Sequence, residues 1–398
     1  MLKNSLIALV FLAIGVAVGF QMPRGASLVA TLTGSGDINP QYAALESTQA
    51  LMDFEDMLAS GREMVLKEAQ TEQEAIEGMR WLLRVAAMST VVAADANAIY
   101  PHFQRMDTDV RKVGGDNPDA EYAHVTIDGQ YDYIITGNIG DISYLGFTFN
   151  AGVGMTPRRN IGYMNDNMLT VDDNGDFTLI LAKEKPSIAG DWFQITEDAS
   201  GILVRQYFTD RENAVLPTLN IAMLGDTPNY TPPTDEQVAS AITGTTFAFL
   251  KLSTLHQYIL PELMEEPNGF IKATSEKFGD DIAGTDNLYM LGSYQLADDE
   301  ALVIEVTPPD TRYWNIAMET RWHETLDYLH RATSLTKDSV TYNTDGTVRF
   351  IVAHQDPGAA NWLDTSGYNF GFITFRWLDG KYEDVPMPTT RIVKFADL

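Results

Sequence analysis

Hydrophobic and polar residues alternate along two long stretches of this chain, and segments with helical spacing precede each stretch. Between residues 120 and 215, runs such as Tyr131–Thr136, Phe177–Leu181 and Leu203–Phe208 are separated by turns rich in Gly, Asp and Asn. Short alternating runs separated by turn residues are typical of an antiparallel sandwich or barrel. A second β-rich region follows towards the C-terminus. The pattern therefore predicts two β units.

The two β-rich regions share an internal repeat. The stretch from Asp345 to Trp377 has a degenerate copy at residues 174–207, and three landmarks recur: a turn glycine, a tryptophan and a strand-ending arginine. These landmarks are Gly175, Trp192 and Arg205 in the first copy and Gly346, Trp362 and Arg376 in the second. The spacings between these landmarks agree within one residue. Tyr144 also precedes Gly175 by about the same distance as Trp314 precedes Gly346. Such self-similarity predicts a duplicated structural unit.

Helical spacing marks the segments before each β unit. In the first segment, Leu51, Phe54 and Leu58 share a predicted helix face that Ser60-Gly61 interrupts. Residues 71–74 and 234–237 have capping-box spacing, which starts a helix. The second match opens a helical segment predicted to continue, with breaks, to Phe278. An apolar stripe predicted to pack on the protein's own core follows the first match, at Ile76, Met79, Leu83 and Ala86.

The predicted fold is α+β and mainly β, with two related antiparallel β-sandwich-like units and accessory helices. Four prolines between residues 217 and 233 mark a linker between the units. The predicted segments are residues 1–24, an export signal or membrane anchor; 25–40, a tether; 41–100, a helical segment; 101–216, the first β unit; 217–279, the linker and a helical segment; and 280–398, the second β unit.

The charge of the chain excludes several classes of partner. The formal net charge is −28, and no cluster of Lys and Arg offsets it. Nucleic acid and anionic lipid surfaces both require such clusters, so we expect membrane contact only through the N-terminal segment. The chain contains no cysteine, which excludes disulfides, thiolate metal sites and lipid attachment through cysteine. No nucleotide-binding motif is indicated, and the identity of any cofactor stays open.

The N-terminal residues predict export. One lysine precedes an apolar run from Leu6 to Phe20, which suits the core of a cleaved signal peptide or a short membrane anchor. Both alternatives stay open at this point. We therefore expect a bacterial periplasmic or exported protein, either free or anchored to the inner membrane by residues 5–20.

The second unit resembles a known family. The segments YWNIAMETRW, LDYLHRATSL, DGTVRFIVAHQDPGAANWLDTSG and FITFRW, within residues 285–385, are similar to the domain of unknown function 1214 family. The most specific part runs from Asp356 to Thr365. The resemblance implies a β-sandwich-like domain found behind a related N-terminal domain in exported or envelope-associated bacterial proteins. It implies no particular reaction.

Two acidic motifs could hold a metal ion. His323, Asp327 and His330 have spacings that would place them on one face if the segment were helical, as a site of imidazoles and a carboxylate requires. The alternative is a surface carrying ordinary polar residues, and the zincin motif is absent. Residues 172–176 resemble the start of a calcium loop but lack its later ligands, so we interpret them as a hairpin turn.

Other polar and aromatic residues near the second unit are candidates for a site. Asp356 and Asp364 could form an acid–base pair, although loop aspartates most often cap turns. Arg376 could pair with a carboxylate such as Asp364 or hold an anionic ligand. Trp314 and Trp322 could stack on a ligand, and packing in the core is the alternative role for both. The predicted ligand-binding residues are Trp314, Arg321, Trp322, Asn361, Trp362 and Arg376.

These features support three functional hypotheses. The first is an envelope protein that binds a small or amphipathic ligand near the second β unit. The second is a hydrolase-type enzyme that uses the face of His323, Asp327 and His330 with Asp356 or Asp364. The third is a structural protein whose duplicated units contact other chains, including further copies of itself. A deep pocket lined by Arg321, His323 and Asp327 would favour the first two hypotheses.

Overall fold

The computed structural model describes residues 39–152, 158–226, 228–259, 261–273, 286–379 and 386–398. The predicted export signal or anchor, and the tether up to residue 38, lie outside the described residues. Within the described ranges, no helix combines the length and the apolar character that crossing a membrane requires.

The first β unit is a sandwich of two sheets. Its five-stranded sheet has the order β1-β2-β8-β4-β5, and its four-stranded sheet has the order β7-β6-β3-β9. The strands are β1 Gln104–Arg105, β2 Ala120–Thr126, β3 Tyr133–Asn138, β4 Tyr144–Ala151, β5 Arg159–Asn165, β6 Asp176–Ala182, β7 Asp191–Gln194, β8 Ala199–Tyr207 and β9 Thr218–Met223. Alternate residues of both sheets, such as Ile135, Phe147 and Val204, meet in one buried core.

The second β unit repeats this arrangement strand for strand. Its sheets have the orders β10-β11-β17-β13-β14 and β16-β15-β12-β18. The strands are β10 Phe270–Ala273, β11 Asn287–Gln295, β12 Glu300–Val306, β13 Trp314–Glu319, β14 Ser334–Thr336, β15 Val348–Ala353, β16 Trp362–Asp364, β17 Phe370–Leu378 and β18 Thr389–Lys394. Each unit has one parallel pair, β6 with β7 and β15 with β16, among antiparallel neighbours. The predicted pair of related sandwiches is confirmed.

The landmarks of the sequence repeat occupy matching places. The Trp192 indole donates a hydrogen bond to the carbonyl of Ala182 (3.1 Å), and the Trp362 indole donates one to that of Ala353 (3.2 Å). Each acceptor ends the strand that runs parallel to the tryptophan's own strand.

The strand register also fixes which residues correspond between the units. Arg205 lies opposite Gly146, and Arg376 lies opposite Asn315. Counting back from these pairs, Tyr144 corresponds to Tyr313. The predicted match of Tyr144 with Trp314 was therefore wrong by one residue.

The acidic turn of residues 172–176 is a hairpin turn, as interpreted. The Gly175 amide donates to the Asp172 carbonyl (3.0 Å), and the Gly346 amide of the second copy donates to the Asn343 carbonyl (3.0 Å). Both glycines have positive φ, 86° and 81°, which suits glycine in a tight turn. The Asp172 carboxylate accepts bonds from backbone amides of its own turn.

Helices pack against both sandwiches. They are α1 Pro40–Ala43, α2 Glu46–Glu68, α3 Glu72–Ser89, α4 Asp235–Ser253, α5 Leu255–Ile259 and α6 Pro261–Glu265. A full capping box opens α4, where Thr234 and Gln237 exchange side-chain and backbone hydrogen bonds. At α3 the Thr71 hydroxyl caps the Glu74 amide, while the Glu74 carboxylate accepts from Gln70 instead of Thr71.

Several helical details differ from the predictions. Helix α2 continues through Ser60-Gly61, because Gly61 lies buried in the helix packing and does not end the helix. The stripe predicted for α3 was wrong in part, since Met79 and Ala86 pack against the helical core but Ile76 and Leu83 are exposed. Trp81 and Val85 are buried in their place. The second helical segment ends at Glu265.

The β units extend beyond their predicted boundaries. Strand β9 lies past residue 216 and pairs with β3, so it completes the first sandwich. Strand β10 lies before residue 280 and pairs with β11, so the second sandwich also starts early. Prolines near β9 led to its assignment as linker, although an edge strand tolerates a neighbouring proline.

The outer faces of the two five-stranded sheets lie towards each other. Tyr207 stacks on Tyr144 of its own unit and on Tyr313 of the other unit, each with ring centroids 5.1 Å apart. Asn287 donates a hydrogen bond to the Tyr207 hydroxyl (2.5 Å) across the same boundary. Helix α3 joins the assembly through Trp81, which stacks on Trp322 of the second unit at 5.3 Å.

Candidate functional site: a cavity between the two sandwiches

A cavity of about 140 Å³ lies where the two sandwiches and the helices meet. Both five-stranded sheets supply lining side chains, and helices and loops close the remaining sides. The lining residues are Met88, Met106, Asp107, Val113, Gly114, Gly115, Asp116, Tyr122, Leu203, Arg205, Leu252, Leu255, Tyr289, Leu291, His323, Thr374 and Arg376. The cavity therefore belongs to both units, and the second unit alone cannot form it.

The duplication places equivalent residues on its two walls. On β8, Val204 points into the sandwich core, so its neighbours Leu203 and Arg205 point outwards. On β17, Phe375 points into the other core, and Thr374 and Arg376 point outwards in the same way. Tyr122 and Tyr289 lie opposite the two arginines on the adjacent strands. Equivalent side chains of the two units thus face one shared space.

Arg376 is the most deeply placed charge of the cavity, with 2% of its surface exposed. Its Nη2 donates to the carbonyl of Gly115 (2.6 Å) and to that of Asp116 (3.2 Å). The same nitrogen lies 3.5 Å from a carboxylate oxygen of Glu319. Its Nη1 is buried and has no hydrogen-bond partner in the described part of the chain. One donor of a buried cation is therefore available to a ligand.

Arg205, the equivalent of Arg376, is held differently. Its Nη1 donates to the Thr148 hydroxyl at 2.7 Å, on the neighbouring strand of its own sheet. In the second unit, Ala317 occupies the position that corresponds to Thr148. The two arginines are thus equivalent in backbone position but differ in their polar partners.

His323 and Glu319 form a buried pair beside Arg376. The His323 Nδ1 lies 2.5 Å from a Glu319 carboxylate oxygen, and the two side chains are 6% and 0% exposed. Burial raises the pKa of Glu319, but His323, Arg376 and Thr374 outweigh burial, so its pKa lies below the usual value. Glu319 is therefore held as a carboxylate.

Gly115 allows His323 to reach the cavity. Its amide donates to the His323 carbonyl (2.8 Å), and its φ is +69°. A Cβ added at Gly115 would lie 2.5 Å from the His323 Nε2. Only glycine fits both the backbone conformation and the close approach of the imidazole.

The loop between β1 and β2 forms one wall of the cavity, the loop wall, and contributes two aspartates with different partners. Burial and the Asp116 carboxylate raise the pKa of Asp107 well above its usual value, which favours the neutral acid. Burial also raises the pKa of Asp116, although Lys112 and bonds from Thr325 oppose the change. The Lys112 ammonium donates to the carbonyls of Thr325 and Leu326.

The predicted metal site is not formed. Residues 321–332 make turns and a short bridge instead of a helix, so the spacing argument fails. His323 is buried at the cavity, whereas the His330 side chain is 76% exposed and lies 3.0 Å from Asp327. Among the described residues, no group of three or more His, Asp or Glu is placed to hold a metal ion. Arg321, His323 and Asp327 also line three different pockets.

The two candidate catalytic aspartates have local partners. Asp356 is in a turn, where its carboxylate accepts from the Gly358 amide at 2.8 Å. Asp364 is buried and accepts from the Ser366 amide (2.7 Å) and from Arg331 (2.8 Å). The suggested pair of Arg376 with Asp364 was wrong, since Glu319 is the carboxylate beside Arg376.

Most other predicted ligand-binding residues have structural partners. Trp314 lies in the core of the second sandwich, and Trp322 packs among the helices and donates to the Glu74 carbonyl. Trp362 packs against the four-stranded sheet. Arg321 binds Glu74 and lies over the Phe370 ring. Asn361 bonds to the backbone of Thr341.

The cavity includes residues that the sequence did not single out. Asp107, Tyr122 and Tyr289 line the cavity and carry no motif. Glu319, beside the cavity, lies in the segment YWNIAMETRW but was not a candidate. The sequence signal for this cavity was the internal repeat, because Arg205 and Arg376 mark the two strands whose outer faces form two of its walls. The residues of the connecting loops come together only in the folded chain.

The fold and cavity define a tandem β-sandwich protein with a polar and apolar cavity between its units. Residues 294–381 match the family described as a protein of unknown function (DUF1214), which confirms the resemblance noted in the second unit. No curated protein matches the chain.

Two solved structures are similar to this chain to different degrees. One is an uncharacterized protein from Burkholderia cenocepacia, with a TM-score of 0.82 and 29% identity, over 88% of this chain and 98% of that chain. Another, from Vibrio parahaemolyticus, has a TM-score of 0.47 and 12% identity, over 79% of this chain and 99% of that chain. The first of these spans both sandwiches and supports a two-unit β fold.

Proposed function

We propose that this protein binds a small amphipathic molecule in the cavity between its two sandwiches. The observation that carries the proposal is that Arg376 lines an otherwise largely apolar cavity and that its buried Nη1 has no hydrogen-bond partner in the described chain. A buried polar group without a hydrogen bond costs roughly 1–3 kcal/mol, and more when it is charged. A ligand that accepts this hydrogen bond would remove the cost.

The apolar part of the cavity supports the same proposal. Met88, Val113, Leu252, Leu255 and Leu291 line it beside the arginines. Apolar surface removed from water contributes roughly 25 cal/mol per Å², so a ligand with an apolar body gains free energy against these side chains. One polar end and one apolar body are the properties of an amphipathic molecule.

We also propose that the protein acts in the bacterial envelope or outside the cell. The apolar run from Leu6 to Phe20 and the absence of cysteine support this location. N-terminal sequencing and cell fractionation test it. Recovery of full-length protein in the cytosol, free of membrane, would contradict it.

A hydrolase-type enzyme is a second candidate, and the pair of His323 and Glu319 favours it. A carboxylate beside one imidazole nitrogen orients the ring and stabilises its charged form, as in bases that act in acyl transfer. The enzymatic site would then lie in the cavity, away from Asp327 and His330. Loss of turnover, with binding retained, in a His323→Gln variant would support this candidate.

A cavity-filling variant tests the binding proposal. Leu203→Phe adds a ring to a side chain that lines the cavity, whereas Leu83→Phe makes the same change on an exposed helix position. We expect small apolar acids and amides from a fragment library, detected by ligand-observed NMR, to bind the wild type and Leu83→Phe but not Leu203→Phe. Equal binding to both variants, or no fragment binding to the wild type, would refute the proposal.

A further inference from the structure

We infer that the ligand of this cavity is a small organic monocarboxylate, whose carboxylate is held by Arg376 and whose apolar body packs against the helix side of the cavity. The inference rests on the proposed function and adds to it the charge, shape and size of the ligand. Each of these properties follows from a different observation on the same cavity.

The charge follows from the ionised groups around the cavity. Arg205 and Arg376 both line it, and a carboxylate oxygen of Glu319 lies 3.5 Å from the Arg376 Nη2. On the loop wall, Lys112 offsets Asp116. Asp107 adds no charge when it is protonated, which burial favours. Each sheet wall thus presents a guanidinium, and this setting favours an anionic ligand. Among the described lining residues, the guanidinium donor without a hydrogen-bond partner is the Arg376 Nη1, which matches one carboxylate rather than two.

The shape follows from the donors. The Arg376 Nη1 is a planar guanidinium donor, and charge-assisted bonds to a carboxylate are about twice as strong as neutral ones. Tyr122 also lines the cavity, where its hydroxyl shares a hydrogen bond with that of Tyr207, and burial raises its pKa, so the hydroxyl stays protonated. A carboxylate offers two acceptor oxygens in one plane, which matches a guanidinium donor. A neutral amide offers a single carbonyl oxygen and brings two donors of its own.

The size follows from the volume. The cavity of about 140 Å³ is close to the roughly 150 Å³ apolar cavity that accommodates benzene. A carboxylate on a single ring or on a short branched chain therefore fits. A long fatty acid, a sugar or a nucleotide exceeds this volume, and inorganic phosphate leaves the apolar wall without contacts.

Calorimetry on the wild-type protein tests the charge and the shape together. Benzoate and benzamide have nearly the same size and differ in charge, terephthalate adds a second carboxylate, and inorganic phosphate removes the apolar body. We expect benzoate to bind at least tenfold more tightly than benzamide or terephthalate, with no heat from phosphate. Benzamide binding as tightly as benzoate, or tighter binding of terephthalate or phosphate, would overturn the carboxylate assignment.

Variants assign the binding to the cavity and to the arginine. Arg376→Gln should abolish the preference for benzoate over benzamide, whereas Arg331→Gln, which changes a half-exposed arginine paired with Asp364, should keep it. Because Arg376 also bonds to two backbone carbonyls, the variant could fail to fold. Leu291→Phe then serves as a second variant, since it fills the cavity and should abolish benzoate binding with all cavity charges kept.

The outcomes separate this inference from the proposed function. Binding of benzamide to the wild type but not to Leu291→Phe would leave a binding cavity and refute the monocarboxylate. Retained benzoate preference in a folded Arg376→Gln protein would refute the role of Arg376. No binding of either ring compound would refute both proposals.

Discussion

At the scale of single residues, the cavity depends on a few side chains that the backbone forces into unusual places. His323 has a φ of 58°, a conformation that residues other than glycine seldom adopt. The adjacent Gly115 has a φ of 69° and approaches the imidazole closely. At a residue other than glycine, such as His323, this conformation costs about 1–3 kcal/mol and persists where the surroundings hold it. Here the surroundings are the bonds among Gly115, His323 and Arg376.

Two glycine substitutions test this arrangement. Gly358 has a φ of 70° like Gly115, but an added Cβ there would meet no atom within 4 Å. We expect Gly358→Ala to lower the free energy of unfolding by roughly 1 kcal/mol, from the backbone conformation alone. Gly115→Ala should cost roughly 3 kcal/mol, because the methyl group also displaces His323.

Urea denaturation measures both costs, and benzoate binding measures the effect on the site. Gly115→Ala should weaken binding, and Gly358→Ala should leave it unchanged. Equal losses of stability in the two variants would show that His323 moves aside freely.

The residues of the site differ in how far sequence could predict them. Arg376 was a candidate because the repeat supplies an equivalent, Arg205, at a matching distance from a tryptophan. His323 was a candidate for the wrong reason, since its predicted helix does not form. Glu319 was not a candidate, because a glutamate ending an apolar strand resembles any surface residue until the facing wall is known.

At the scale of elements, strands were easier to predict than helix faces. Alternation and turn residues predict a strand locally, and the repeat supplies a second copy of the same evidence. The buried face of α3 instead contains Glu74, Gly78 and Trp81, a mixed set that no apolar stripe indicates. Glu74 is buried because Arg321 and the backbone of Gln70 bind it. Of these partners, Arg321 comes from a distant part of the chain, so the local pattern does not reveal it.

An ion pair that joins α3 to the second unit should make stability depend on pH. Arg84 of the helix lies 2.6 Å from Glu324, whose pKa burial raises to about 7 although Arg84 lowers it. The folded chain therefore binds more protons than the unfolded chain between about pH 4.5 and 7, and stability falls as pH rises through this window. The loss from this residue amounts to roughly 3 kcal/mol.

Glu324→Gln tests this dependence, because glutamine keeps a hydrogen bond to Arg84 and does not titrate. We expect a smaller loss of unfolding free energy between pH 5 and pH 8 than in the wild type. Part of the slope should stay, since burial also raises the pKa values of Asp107, Asp116 and Asp119. The exposed Glu236→Gln serves as the control. An unchanged slope in Glu324→Gln would contradict the assignment.

At the scale of the whole molecule, duplication explains why the cavity lies between the units. Two copies of one sandwich present equivalent outer faces, and where these faces meet, polar residues such as Arg205 and Arg376 become buried together. Divergence then distinguishes the two walls, since Arg205 bonds to Thr148 while the equivalent position in the second unit is Ala317. The sequence predicted the two units, but only their packing places both arginines in one cavity.

The most direct measurement is a crystal structure of the protein soaked with 4-bromobenzoate. The anomalous scattering of bromine locates the ligand independently of its fit to the remaining density. We predict one bromine site in the cavity, on the helix side near Leu252 and Leu255, with the carboxylate within hydrogen-bond distance of the Arg376 Nη1. Bromine at other positions only, or a carboxylate directed away from Arg376, would contradict the account.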